Sequence, residues 1–267
     1  MALAMIDTWG AVHAAAAVVR TGAVATHGDE AHRFRLASLT KLLVAYATLV
    51  GVEEGTVELD APAGPTGSTV RHLLAHASGL GFDGTEPPSP VGARRIYSNT
   101  GIEVLAAHLE RCWDMPLADY LTEAVLAPLA MSATALEGSP AHGAVAPLGD
   151  VARFAAELLA PQLVSAATLA EATTEQWPDL VGVLPGFGRL DPCPWGLGFE
   201  VRGTKSPHWT GGSNSEATFG HFGGSGTFLW VDPAAGVALA ALTDRAFGAW
   251  AVEAWPALSD AVLAAPA

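Results

Sequence analysis

Apolar and polar positions follow three successive patterns along the chain. Residues 13–20 are small and apolar with β-branched residues at the end, Thr21-Gly22 signals a turn, and residues 23–27 resume the same character, which predicts a β-hairpin. Residues 33–37 predict a short strand that runs into a helix with Leu42, Leu43, Tyr46, Leu49 and Val50 as its apolar stripe; Gly55 ends it. Pro62, Gly64, Pro65 and Gly67 mark a loop, and Thr69 is placed to cap a short helix, VRHLLAHA, that stops at Gly79. GLGFDGTEPPSP reads as irregular surface chain, after which helical patterns cover residues 101–111, 117–129, 148–159 and 165–173. Beyond Pro192 the character changes back, with strand-like runs at 195–201, 218–222, 227–231 and 236–243. Residues 250–264 close the chain as a helix despite Pro256. Strands at both ends of the chain around a helical block predict one sheet assembled from the two ends.

Composition narrows the class. Of 267 residues, 50% are apolar and 15% charged, which fits a well-buried globular protein. The net charge of −14 and the absence of any basic run argue against nucleic acid or an anionic membrane surface as partner. Cys112 and Cys193 fit no metal or redox spacing and read as two free buried thiols. The apolar N-terminus has no basic residue before it and no cleavage site after it, and no later run is long enough to span a bilayer. A cytoplasmic address is the expectation.

The strongest chemical signal is Ser38-Leu39-Thr40-Lys41. On a helix, a hydroxyl and an ammonium three residues apart share one face. A lysine among apolar neighbours loses hydration, its pKa falls, and it becomes able to act as a base. The alternative is that Ser38 merely caps the helix and Lys41 is solvated in the first turn. Tyr97-Ser98-Asn99 offers a phenol, which needs a cation such as Lys41 beside it to ionise or to relay a proton, and an amide able to hold a lysine and a substrate together. Read structurally, the same residues are a turn tyrosine and an asparagine N-cap. His72 and His76 stand four apart, but H-E-x-x-H is absent and no third ligand appears, so packing is the better reading than zinc.

The glycine-rich run Gly220-His221-Phe222-Gly223-Gly224-Ser225-Gly226 lets a substrate approach the backbone, whose N–H groups can bind an oxyanion. A glycine-rich turn with a packed histidine is the structural alternative. The run lacks the lysine of a phosphate-binding loop, and residues 223–227 miss G-x-S-x-G at the last position.

Taken in order, S-x-x-K at 38–41, Y-x-N at 97–99 and H-x-G at 221–223 resemble the three motifs of the serine β-lactamase/penicillin-binding-protein superfamily. The tyrosine form is similar to the class C β-lactamase, D-alanyl-D-alanine carboxypeptidase and family VIII esterase branch. FRLASLTK, VEEGTVELDAP, TVRHLLAHASGL, IYSNTGIEVLAAHLE and GHFGGSGTFLWVDP extend the likeness across nearly the whole chain. The resemblance implies an α+β fold in which residues 1–55 and 190–267 form an antiparallel sheet flanked by helices. Residues 56–189 would form a mainly helical insertion, with the active site between the two. It implies Ser38 as the acylated nucleophile, Lys41 as its proton acceptor or relay and Tyr97 as partner base and proton donor to the leaving group. Asn99 would orient lysine and substrate, and His221 and Gly223 would border the substrate. The N–H groups of Ser38 and Gly224 would form the oxyanion hole, with no cofactor and no metal.

Two departures bear on substrate. His221 replaces a permanent cation and Phe222 a small hydroxyl residue, which weakens recognition of a carboxylate beside the scissile bond. The expected function is a serine hydrolase of small esters, with amides or lactams as alternative small-molecule substrates. β-Lactamase or D,D-peptidase activity and a non-catalytic binding module are the competing readings. Oligomeric state is not readable from the sequence.

Overall fold

The helix that follows Ser38 forms the axis of the fold. The computed structural model describes residues 2–84 and 86–265. In it, helix α1 (Thr40–Glu53) is buried at every residue from Thr40 to Gly51. The expected stripe is there, but Val44, Ala45, Ala47 and Thr48 between its members are small or apolar, so no side needs water. The Thr48 hydroxyl donates back to the Val44 carbonyl at 2.8 Å, and that of Tyr46 to Glu157.

The main sheet has six antiparallel strands taken from the two ends of the chain. They are β1 (Ala14–Arg20), β2 (Ala23–Gly28), β3 (Glu200–Val201), β4 (Phe219–Gly223), β5 (Thr227–Asp232) and β6 (Val237–Thr243), in spatial order β2-β1-β6-β5-β4-β3. β1 lies in full register along β6, from Ala14 opposite Thr243 to Arg20 opposite Val237. Alternate residues of β1 face opposite ways. Ala15, Ala17 and Val19 join the core that contains α1 and the helix Leu148–Leu159. Ala16 joins Leu239, Ala241 and Trp255 beneath the C-terminal helix Ala249–Ala264. Among the described residues, no helix is long and apolar enough to cross a membrane.

Several expected elements are shorter or placed differently. The strand at 33–37 is only Phe34–Arg35, and it pairs with Ala144–Ala146 in a separate small sheet instead of the main one. Arg95–Ile96 pairs with a hairpin, Gly182–Leu184 and Gly188–Leu190, that residue patterns do not predict. The helix at 117–129 runs as Leu117–Leu121 and then widens into a π-helical turn, Thr122–Leu126. Cys193 is buried, but Cys112 is exposed, contrary to expectation; both are free.

The run at 195–201 keeps strand form only at its end because it must bend around α1. Gly198 has φ +87°, and a Cβ there would sit 2.2 Å from the Cβ of Ala45. Gly198→Ala therefore combines a left-handed backbone with overpacking, and a loss of roughly 1–3 kcal/mol is expected. Urea unfolding followed by tryptophan fluorescence measures it; an unchanged midpoint would remove this contact from the packing of α1.

Candidate active site

Ser38 sits in a single 3-10 turn, Ala37–Leu39, that runs directly into α1. It is not the helix cap: the helix starts at Thr40, and the capping position, Leu39, makes no side-chain cap bond. The hydroxyl is thus spared that duty, and as the second residue of the turn Ser38 has no carbonyl a turn back for its N–H. The preceding residue, Ala37, has φ +47°, a left-handed conformation that alanine adopts only when its surroundings enforce it. The glycine-rich turn after β4 supplies that force. Ser225 Oγ donates to the Arg35 carbonyl at 2.6 Å and Thr227 Oγ1 to the Leu36 carbonyl at 2.9 Å. From the other side the Leu36 N–H donates to the Ala144 carbonyl at 2.9 Å. Gly223 permits this approach, since a Cβ there would lie 2.4 Å from the Leu36 oxygen. Gly224 faces open space, with nothing within 4 Å of where its Cβ would be.

Lys41 is 1% exposed. Its Nζ donates to Asn99 Oδ1 at 2.8 Å and to the Ala141 carbonyl at 2.9 Å, and lies 3.4 Å from Ser38 Oγ. Burial brings its pKa down to about 7; Glu103 and Asp83 oppose that shift incompletely. The solvated-lysine alternative is therefore overturned. Asn99 is available because Ser98 does the capping: Ser98 Oγ accepts from the Gly101 N–H at 2.7 Å, and Asn99 becomes the first residue of the helix Asn99–Trp113. The asparagine-cap alternative fails for the same reason.

Tyr97 is buried, and its hydroxyl lies 2.8 Å from His221 Nε2. Burial pushes the phenol pKa up, a hydrogen bond with Ser38 works against that, and the Glu200 charge adds to the rise. Lys41 Nζ lies over the ring face, 4.7 Å from its centroid, instead of at the oxygen. Of the two roles weighed for Tyr97, an ionised phenolate or a proton relay, burial disfavours the first: the phenol is neutral at rest. His221 is neutral too, its pKa lowered by burial although Glu200 acts to raise it.

Behind His221 lies a cluster that the sequence did not single out. Glu200, fully enclosed, accepts from Lys205 Nζ at 2.6 Å and Trp209 Nε1 at 2.9 Å, and His208 Nε2 lies 2.9 Å away. Burial alone would raise its pKa, but Lys205 and His208 outweigh it and hold the carboxyl well below the usual range. His221 Nδ1 lies 3.9 Å from Glu200 Oε2 and makes no hydrogen bond. The nearby carboxylate favours a proton on Nδ1, which leaves Nε2 to accept from Tyr97. One signal was legible: Glu200 is an acid inside the apolar run WGLGFEV, and an ion there must be paired.

The two histidines weighed for zinc diverge. His72 stacks on Trp177 at 4.2 Å and bonds Thr69, whereas His76, at φ +55° beyond the end of its short helix, is enclosed between Tyr97 and Trp195. Elsewhere, His13, Asp29 and His32 cluster near the surface. The two rings stack face to face at 4.0 Å, so their in-plane lone pairs run parallel instead of converging on an ion.

Truncating Glu200 to alanine would leave Lys205 buried without its counter-charge. A loss of about 3–5 kcal/mol is expected, measured by denaturant unfolding at neutral pH; a loss within error of zero would show that the cluster contributes nothing to the folded state.

The sequence matches the family described as Beta-lactamase over residues 5–263. A crystal structure of a beta-lactamase from Mycobacterium bovis is 55% identical, with 99% of this chain and 98% of that one covered at a TM-score of 0.97. EstCE1, described as a hydrolase with promiscuous acyltransferase activity, shares 20% identity over 97% of this chain and 95% of its own, at a TM-score of 0.79. A beta-lactamase/D-alanine carboxypeptidase from Yersinia pestis is 20% identical with the same coverage and a TM-score of 0.78. No curated protein matches the sequence.

Proposed function

The chain belongs to the beta-lactamase family and is a serine hydrolase of that superfamily, and from this premise we propose that it cleaves small carboxylic esters through an acyl-enzyme on Ser38. The observation that carries the reading is Lys41: an amine with a pKa near 7, buried, fixed by two acceptors and 3.4 Å from the Ser38 hydroxyl. In its neutral form Lys41 takes the hydroxyl proton as Ser38 Oγ attacks the ester carbonyl. The oxyanion that forms is received by the N–H groups of Ser38 and Gly224. Tyr97, protonated at rest, gives its proton to the departing alkoxide, which leaves a phenolate whose charge the ammonium formed on Lys41 balances. Asn99 holds the amine in place, and Gly223 lets the strand edge lie close beside the substrate.

The preference for esters rests on the third motif. His221 is neutral and already committed to Tyr97, and Phe222 is packed among Trp209, Phe247 and Trp255. Neither side chain offers a cation or hydroxyl to a carboxylate next to the scissile bond. Lactam hydrolysis is the second reading, favoured by the description of the Mycobacterium bovis relative. A chromogenic lactam offered beside p-nitrophenyl butyrate, with the mass of the Ser38 peptide read after each, separates the two.

Three outcomes are expected with p-nitrophenyl butyrate. Ser38→Ala abolishes turnover. Lys41→Met lowers the acylation rate by ~10²–10⁴ with unchanged circular dichroism. Because the free amine is the active form, kcat/KM climbs with pH, is half-maximal at about 7 and levels off above it. A rate independent of pH from 5 to 9, checked in stopped flow, would remove Lys41 as the base.

A further inference from the structure

Beside the reacting groups lies a cavity of about 630 Å³, with Tyr97 as the residue it shares with them. Its walls come from the turn before Tyr97 and from the hairpin Gly182–Leu184/Gly188–Leu190, with Phe82 at 50% and Val183 at 60% exposure giving it apolar surface. Its charge is anomalous. The protein has 13 lysines and arginines against 27 acids, yet Arg94, Arg95 and Arg189 all line this cavity, and no acidic side chain does so among the described residues.

The three arginines differ in what they do. Arg95 is buried and structural: its guanidinium donates to the carbonyls of Ala75 at 2.6 Å, Gln176 at 2.7 Å and Cys193 at 2.9 Å. The charge of Glu175 also acts on it. Arg94 is exposed and makes no ion pair among the described residues, while Arg189 is exposed and only loosely opposed by Asp191 at 3.7 Å. Two guanidiniums at the rim of an apolar cavity are unusual in a protein of net charge −14, and they match an anion carried on an apolar body.

We propose that this cavity is the specificity pocket of the active site, and that it receives an apolar arm of the ester ending in a carboxylate, which Arg94 and Arg189 engage at the rim. The proposal rests on the ester-hydrolase reading and moves the anion away from the third motif. The acid is recognised by Arg94 and Arg189 on a cavity that His221 does not line, and the atoms beside the scissile bond remain uncharged.

The test reads binding without turnover. Ser38→Ala protein is titrated calorimetrically with 4-phenylbutyrate and with its neutral isostere, 4-phenylbutyramide. The carboxylate is expected to bind about tenfold more tightly at low salt, and the gap to narrow as ionic strength rises. In protein that also carries Arg94→Gln and Arg189→Gln, with thermal unfolding as the check on folding, the carboxylate-to-amide ratio falls to about one. Equal affinities, no binding of either compound, or a preference that survives the double substitution overturns the proposal. Ester turnover by the Ser38 protein is measured separately. Carboxylate preference without turnover would leave the pocket standing and sink the hydrolase reading instead.

Discussion

The site depends on an ammonium group taken out of water and given too little in return. Lys41 is held by one amide oxygen, one backbone carbonyl and one hydroxyl, none of them charged. A carboxylate in hydrogen-bond contact would have kept the lysine protonated at neutral pH and useless as a base. The more distant Glu103 and Asp83 recover only part of the lost hydration, and the pKa falls from 10.5 to about 7, a difference of roughly 5 kcal/mol in favour of the neutral amine. Each acceptor belongs to a different segment: the N-terminus of the helix Asn99–Trp113, the chain around Ala141 and the turn before α1. Folding all three around Lys41 creates a buried amine suited to the role proposed for it.

A second buried cation shows the opposite solution. Lys205 contacts a carboxylate at 2.6 Å, and Glu200 in turn is surrounded by donors from His208 and Trp209. This cluster is a paired ion, whereas Lys41 is an unpaired one, and burial alone does not tell them apart. The difference lies in whether the first neighbours are charged. Between the clusters stand His221 and Tyr97, both neutral, joined at 2.8 Å. They separate the fixed charge of Glu200 from the titrating amine: the carboxylate favours a proton on the imidazole nitrogen that faces it, and the other nitrogen lies within hydrogen-bond reach of the phenol.

The parts of this arrangement legible in the sequence are those whose geometry is local or enforced by glycine. Ser38 and Lys41 could be paired from spacing because one helical turn relates them, even though the hydroxyl turned out to lie in a 3-10 turn. Tyr97 and Asn99 are two residues apart, and Gly223 must be glycine because the Leu36 oxygen occupies the place of its Cβ. The sheet from both chain ends was legible through apolar, strand-like runs near either end, such as residues 13–20 and 236–243. The small sheets were not, because strands of two or three residues such as Phe34–Arg35 and Arg95–Ile96 are too short to show a period. The Ala141 carbonyl was invisible for a different reason: every residue has one, and only the tertiary fold aims it at Lys41. Cys112 misled because a thiol's usual burial is a tendency of the residue type, with nothing local to enforce it.

Replacing a lysine by His221 in the third motif has a consequence beyond lost charge. Coulomb repulsion from a permanent cation beside Tyr97 would depress the pKa of nearby Lys41 further and would also attract anions to the strand edge. A neutral imidazole does neither. The depression of Lys41 therefore comes first from desolvation, which depends on the seal made by Ala141, Tyr97 and Asn99 and not on one neighbouring charge. Attraction for anions is freed from the strand edge as well, and can be supplied elsewhere in the cleft without disturbing the base. Arg94 and Arg189 are exposed at the rim of the neighbouring cavity, where solvent screens their effect on the buried amine. On the proposed reading, the burial that lowers the Lys41 pKa and the exposed Arg94 and Arg189 are separate features, so substituting the arginines would alter substrate selection without disturbing the buried amine.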